Sequence, residues 1–257
     1  MPEFCKLERE GHILIVTLNR PEVRNSLHPP ANQELAKIFD EFVADAELWV
    51  AIITGAGNKA FCAGNDLKYT AAGGKFELPD SGFAGLTHRF DNTKPVIAAV
   101  NGVAMGGGFE IALACDLIVA AEEAVFALPE PRVGLAALAG GLHRLPRQIP
   151  LKRAMGIILT GRRVSAVEAR ELGIVNEVVP RAELMSAARR WADDILACAP
   201  LSVRGSKQAA MGGLNHASLE EAINSRYDSL GAMIHSEDFR EGPRAFVEKR
   251  PPRWQGK

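Results

Sequence analysis

Cysteine is scarce. The 257 residues hold four, Cys5, Cys62, Cys115 and Cys198, far apart and without a CxxC pair or a neighbouring histidine. That spacing excludes a zinc cluster and a dithiol redox site, so no metal is expected and the four read as reduced thiols in or near the core. A surplus of either charge is also missing, with 30 basic against 31 acidic side chains and a net charge of −1. This excludes a dominant nucleic-acid surface. Apolar runs are interrupted by Gly, Asp or Glu well before the ~20 residues of a membrane span, so no membrane partner is expected. The N-terminus, Met1-Pro2-Glu3-Phe4-Cys5-Lys6, has no basic region followed by an apolar stretch. No secretory signal is read there, and the cytoplasm is the expected compartment.

What is present is an ordinary globular composition, 47% hydrophobic and 24% charged, in a chain long enough to bury a core without disulfides. Glycine is the unusual count, at 24 residues, above the roughly 7% of average usage.

Strands are expected at His12–Asn19, Trp49–Thr54 and Val96–Val100, each closed by a turn signal, and at Leu117–Ala120 and Val125–Ala127, all rich in β-branched or small apolar residues. Between Ala31 and Glu47, Leu35, Ile38, Phe39, Phe42, Val43 and Ala46 recur with helical period. Strands alternating with helices define an α/β protein. After residue 150 helical periodicity dominates, in stretches beginning near Leu151, Ser165, Arg181, Ser202 and Ser218, with one strand at Ile174–Val179. Ser165 with Glu168, and Ser218 with Glu221, fit the capping box. The chain therefore divides into a core, residues 1–198, and a helical annex, residues 199–257, of the kind that packs on a core or on another subunit.

Two glycine clusters follow strands. Gly55-Ala56-Gly57-Asn58-Lys59-Ala60 matches G-x-G-x-x-A on paper, but Phe61-Cys62-Ala63-Gly64-Asn65-Asp66 follows it in place of a helix, so dinucleotide binding is rejected. The second cluster, Gly106-Gly107-Gly108, runs from a strand into the apolar stretch Phe109-Glu110-Ile111-Ala112-Leu113-Ala114. That order places exposed amides at a helix N-terminus, where they can hold an oxyanion. Glu110 sits among apolar neighbours, so it reads either as a buried structural pair or as a site with a perturbed pKa. Glu130, between Pro129 and Pro131 after a strand, reads as a carboxylate in a rigid turn, whether a loop residue or a second site residue.

Taken together the motifs resemble the crotonase (enoyl-CoA hydratase/isomerase) superfamily over nearly the whole chain. The matching pieces are Asn19-Arg20-Pro21 with Asn25-Ser26-Leu27, the segment Ala60 to Lys68, Lys94 to Gly102 with the Gly106 run, and Pro129-Glu130 with Gly134-Leu135. Gly140-Gly141, Arg144-Leu145-Pro146, Thr160-Gly161 and Ala169 to Gly173 continue the pattern. Each is weak alone; their order and spacing carry the resemblance.

The resemblance implies a spiral of ββα units with a C-terminal trimerisation region, assembling as a homotrimer or a dimer of trimers. It implies an acyl-CoA thioester substrate whose carbonyl is held by the amides of Asn65 and Gly107. Glu110 would activate the water added at the β-carbon, and Glu130 would exchange the α-carbon proton. Arg24, Ala63, Asp66, Leu67 and Lys68 would border the CoA moiety, although Arg24 and Lys68 also read as plain surface charges. Coenzyme A belongs to the substrate, and no separate cofactor is implied. Two departures touch the acyl pocket. Asn65 replaces a small residue, and Ala136-Ala137-Leu138-Ala139 stands where a Pro-Gly-Ala arrangement is usual. With the stretch Ala71 to Leu86 they leave the acyl group open, a carnitinyl group included. Enoyl-CoA isomerisation, or CoA binding without turnover, are the competing expectations.

Overall fold

A computed structural model describes residues 2–75 and 77–257, with the backbone alone at Thr70. Met1, where the N-terminal reading starts, and Phe76, in the stretch expected near the acyl group, lie outside them.

The chain opens with a hairpin, β1 (Cys5–Glu10) and β2 (Ile13–Leu18), and then forms α1 (Pro29–Ala44). The apolar period of α1 buries Leu35, Ile38, Phe39 and Phe42. The helix stops three residues before the expected Glu47, because Asp45 turns to an extended conformation and its Oδ1 accepts the Glu47 amide at 2.8 Å. The buried Lys94 Nζ donates to the carbonyls of Phe42 and Asp45, at 2.7 and 2.6 Å, closing that helix end. Next come β3 (Val50–Gly55), β4 (Ala60–Cys62), α2 (Leu67–Ala71), β5 (Val96–Val100), β6 (Val103–Met105) and α3 (Gly107–Ala114). They are followed by β7 (Leu117–Ala121) and β8 (Val125–Ala127). The remainder is α4 (Gly141–Gln148), α5 (Leu151–Thr160), β9 (Val164–Ser165), α6 (Ala166–Glu171), β10 (Glu177–Val179) and α7 (Leu184–Leu196). From Pro200 onward the chain is helical: α8 (Pro200–Gly213), α9 (Leu219–Asn224), α10 (Asp228–Ile234) and α11 (Asp238–Val247).

Two sheets organise these elements. The larger runs β1-β2-β3-β5-β7-β10, parallel except for the β1 edge; the smaller runs β4-β6-β8-β9, with β4, β6 and β8 parallel. Parallel strands are buried on both faces, and the period-2 alternation sorts the two cores. Leu14, Val16, Ala51, Ile53 and Ala98 join Phe39, Phe42, Phe61 and Phe109 on one side. Ile13, Ile15, Val50, Ile52 and Ile97 meet Leu184, Ala187, Ala188 and Ala192 of α7 on the other. The architecture is the α/β crotonase spiral that the motifs led us to expect.

Several local expectations change. Both serines cap their helices, accepting the Glu168 and Glu221 amides at 3.2 and 3.1 Å, but neither box is reciprocal. Glu168 turns instead to Arg162, at 2.6 Å, and Glu221 accepts the Ala217 amide at 3.1 Å. Cys5, Cys62 and Cys115 are buried, whereas Cys198 is exposed, because it lies past the apolar stripe of α7. The Gly55–Gly57 turn has no helix behind it and its carbonyls are consumed. Asn101 Nδ2 binds those of Gly55 and Gly57, and Asn25 Nδ2 that of Ala56.

The tightest joint lies between α3 and β4. A Cβ at Gly108 would stand 2.0 Å from the Cys62 carbonyl oxygen, whereas one at Gly156, inside α5, would meet nothing within 4 Å. Gly108→Ala is expected to lower stability by at least about 2 kcal/mol. Gly156→Ala is expected to leave it unchanged or raise it by up to about 1 kcal/mol. Denaturant melts of the two variants check both signs.

Candidate active site

Three turns meet at one end of the smaller sheet, each launched from the C-terminal end of a parallel strand. The turn after β4 carries Asn65, the one after β6 carries Gly106 and Gly107, and the one after β8 carries Glu130. Gly106 has φ +54 and ψ −126, a conformation open to glycine, and its amide donates to the Ala127 carbonyl at 2.9 Å. This fixes the start of α3 against the end of β8. Gly64, with φ +89, packs so closely that a Cβ there would lie 2.8 Å from the Met105 carbonyl oxygen and 3.1 Å from the Gly107 nitrogen. The backbone of Gly64-Asn65 is thus laid against the first amide of α3. First-turn amides have no intrahelical acceptor, so the Gly107 N–H has no partner within α3.

The Asn65 turn is held from below. Leu27 N–H donates to the Gly64 carbonyl and Asp66 N–H to the Leu27 carbonyl, both at 2.9 Å. Asp66 is buried, pairs with Arg20 at 3.1 Å and accepts the Tyr69 amide at 3.3 Å, which anchors the start of α2. Its carboxylate faces the protein and braces the turn. Arg24, Leu67 and Lys68 are exposed beside it, and the Ala63 amide donates to the Arg24 carbonyl at 3.0 Å, so the four residues form one rim.

Glu110 and Glu130 flank the glycine run. Glu110, in the first turn of α3, is only 3% exposed, and its Oε1 accepts the Gly141 amide at 2.8 Å. Burial raises its pKa to about 7 and the neighbouring Glu130 charge pushes the same way, against the amides of Gly141 and Ala139 and the Arg144 cation. Glu130, the first residue of a 3-10 turn, is half-buried, and burial raises its pKa as well. Its Oε1 lies 2.9 Å from where a Cβ on Gly106 would stand. Its buried Oε2 has no hydrogen-bond partner among the described residues.

The structure adds residues that sequence reasoning passed over. Gly141 is the donor to Glu110, and a Cβ there would come within 3.1 Å of the Glu110 carboxylate and 3.2 Å of Ala137. Phe83 covers Gly107, its ring 2.6 Å from a Cβ position on that glycine. A cleft of about 180 Å³ runs between the turn after β8 and α5, lined by Leu128, Pro131, Ala136, Ala137, Leu142, Ile158 and Leu159. Among the described residues no cluster of His, Cys, Asp and Glu suited to a metal is found, and no helix is long and apolar enough to cross a membrane.

Residues 8–257 match the family model "Enoyl-CoA hydratase/isomerase". The carnitinyl-CoA dehydratases of Proteus mirabilis (strain HI4320) and Salmonella typhi are 44% and 46% identical to this chain, each alignment covering 100% of both proteins. Among solved structures, enoyl-CoA hydratase from Mycobacterium tuberculosis H37Rv superposes with a TM-score of 0.93 at 40% identity over 99% of both chains. Carnitinyl-CoA hydratase from Mycobacterium avium does so with 0.80 at 41% identity over 100% of both. Fold and sequence together define a crotonase-superfamily enzyme acting on CoA thioesters. The chain belongs to the enoyl-CoA hydratase/isomerase family, on the hydratase and dehydratase side of it.

The buried Glu110 has a measurable cost. Folded, it keeps its proton up to about pH 7; unfolded, it loses it in the ordinary glutamate range. Between those values deprotonation favours the unfolded chain, so the penalty is absent at pH 4, grows as pH rises and is complete above 7. At full extent it is about 3 kcal/mol. Glu110→Gln is expected to melt higher than the parent at pH 8 and to match it near pH 4, as thermal denaturation at the two pH values would show.

Proposed function

We propose that this protein catalyses the reversible addition of water across the 2,3 double bond of a 2-enoyl-CoA, giving the 3-hydroxyacyl-CoA. The observation that carries the reading is the pair of carboxylates, Glu110 and Glu130, both biased toward the protonated form on either side of the Gly106-Gly107 helix start. General acids and bases work best with a pKa near the operating pH, and about 7 for Glu110 suits that role.

In the forward direction the thioester carbonyl accepts hydrogen bonds from the Asn65 and Gly107 amides. Glu110 positions the water and takes its proton as the oxygen bonds to the β-carbon. The π electrons move onto the carbonyl oxygen, where each preorganised donor is worth about 2.7–4 kcal/mol. Glu130 then delivers a proton to the α-carbon, and its donor-less Oε2 is suited to hold the incoming water. Dehydration is the same path reversed. The chemistry calls for no cofactor beyond the CoA that the substrate carries. Arg24 and Lys68, exposed on the rim with Leu67 and beside the half-buried Ala63, would pair with CoA phosphates, while Asp66 braces the turn beneath them.

The carnitinyl-CoA dehydratases among its relatives favour a second reading, in which the acyl group bears a quaternary ammonium. The aliphatic cleft beside Ala137 has neither carboxylate nor aromatic ring in its lining, which favours a short alkyl group there over a cation. A turnover panel of crotonyl-CoA, longer and branched enoyl-CoAs, 3-enoyl-CoA and carnitinyl-CoA in both directions separates the readings. Rapid hydration of crotonyl-CoA is expected. Carnitinyl-CoA as the preferred substrate would select the second reading, and no turnover at all would defeat both. Glu110→Gln and Glu130→Gln are each expected to cut kcat by about 10²–10⁴-fold.

Assembly as a homotrimer or a dimer of trimers belongs to the same proposal. Leu219, Ile223, Phe246 and Val247 stand exposed on the C-terminal helices and Leu214 just past α8, Phe246 at 84%, apolar side chains that a second copy would cover. Light scattering on the eluting protein is expected to give three or six chain masses; a monomer would refute this part.

A further inference from the structure

Arg144 lies on α4, three residues beyond the Gly141 amide that binds Glu110. Its Nη2 donates to the Thr87 carbonyl at 2.8 Å, its Nη1 stands 2.2 Å from a Cβ position on Gly140, and its guanidinium rests 5.6 Å from the centroid of the exposed Phe90 ring. The guanidinium is thus wedged between the Gly140-Gly141 turn and the segment from Thr87 to Phe90. Thr87 is itself fully buried, and its Oγ1 accepts the Phe83 amide at 2.8 Å; the Phe83 ring in turn covers Gly107. A continuous path runs from Glu110 through the Gly140-Gly141 turn, Arg144, Thr87 and Phe83 back to Gly107. We propose that Arg144 is a positioning residue that fixes the Glu110 carboxylate and the Gly107 oxyanion donor relative to each other by tying these two turns together. The inference deepens the hydratase reading and rests on it for the reaction that reports it.

Electrostatics works in the same sense. The charged groups facing Glu110 are Glu130, from the turn after β8, and Arg144, from α4; Cys115 faces Arg144 from the end of α3, its thiol held neutral by burial. Arg144 is the cation of the set, and it favours the ionised form of Glu110 against burial and against Glu130. Lysine would keep a positive charge but not the planar fork that spans Thr87 and Gly140.

The test compares the parent with Arg144→Lys and Arg144→Met, using crotonyl-CoA hydration over pH 5–9 and an infrared titration of the carboxyl band that Glu110→Gln removes. Arg144→Lys is expected to lose about ten- to a hundredfold in kcat with KM within about threefold, while its acid-side limb and its Glu110 titration stay put. Arg144→Met is expected to lose kcat similarly, with Glu110 titrating at a higher pH than in the parent. Parental kcat in Arg144→Lys overturns the proposal, as does an unmoved Glu110 titration in Arg144→Met. Should Arg144→Met not fold, the lysine variant, which keeps stem and charge, decides alone. Should the parent turn over no enoyl-CoA, the hydratase reading fails, and the infrared titration still decides whether Arg144 acts on Glu110.

Discussion

The structure depends on one steric constraint, the approach of bare backbone to bare backbone where α3 begins. Gly108 leaves no room for a methyl group against the Cys62 carbonyl, and Gly64 leaves none against Met105 and Gly107. Because these residues carry no side chains, the backbone of the turn after β4 packs directly against the first turn of α3. The same contact fixes how deep α3 enters the core, with Phe109, Ile111 and Ala112 fully buried. Glu110 is carried into the interior by that placement.

A carboxylate so placed sets stability against chemistry. Burial raises its affinity for a proton, and the amides of Gly141 and Ala139 together with the Arg144 cation restrain the effect without cancelling it. Glu130 is less deeply buried but also less compensated, since one of its oxygens lacks a donor among the described residues. Groups that are uncomfortable in the resting protein keep affinity for a ligand or a water, which is what marks this pair of carboxylates as a candidate site.

Much of this could be read from the chain. Glu110 stood out because only apolar residues surround it in sequence, and Glu130 because two prolines hold it in a turn. The parallel strands and α1 were marked by their periodicity. Other features left no such trace. The β1 edge strand, Cys-Lys-Leu-Glu-Arg-Glu, exposes all but its first residue and carries the charges that blunt an edge, so it lacks an apolar pattern. The three-residue strands β4 and β6 are too short for a period, and α4 is disguised by Pro146 within it and by glycines at its start. The bond from Gly141 to Glu110 spans 31 residues and comes from a backbone amide, which no side-chain pattern encodes. Asp66 matched a CoA-lining motif by position, yet its pairing with Arg20, 46 residues away, emerges only from the fold.

Because the three turns of the candidate site leave neighbouring parallel strands in the order β4, β6, β8, the sheet acts as a ruler for the site. Adjacent strands are held about 4.8 Å apart by their hydrogen bonds, so the offset between the Asn65 and Gly107 turns and the Glu130 turn is set by the ladder rather than by any side chain. Exchanging a residue on a turn changes what that turn presents and leaves the graduation of the ruler untouched.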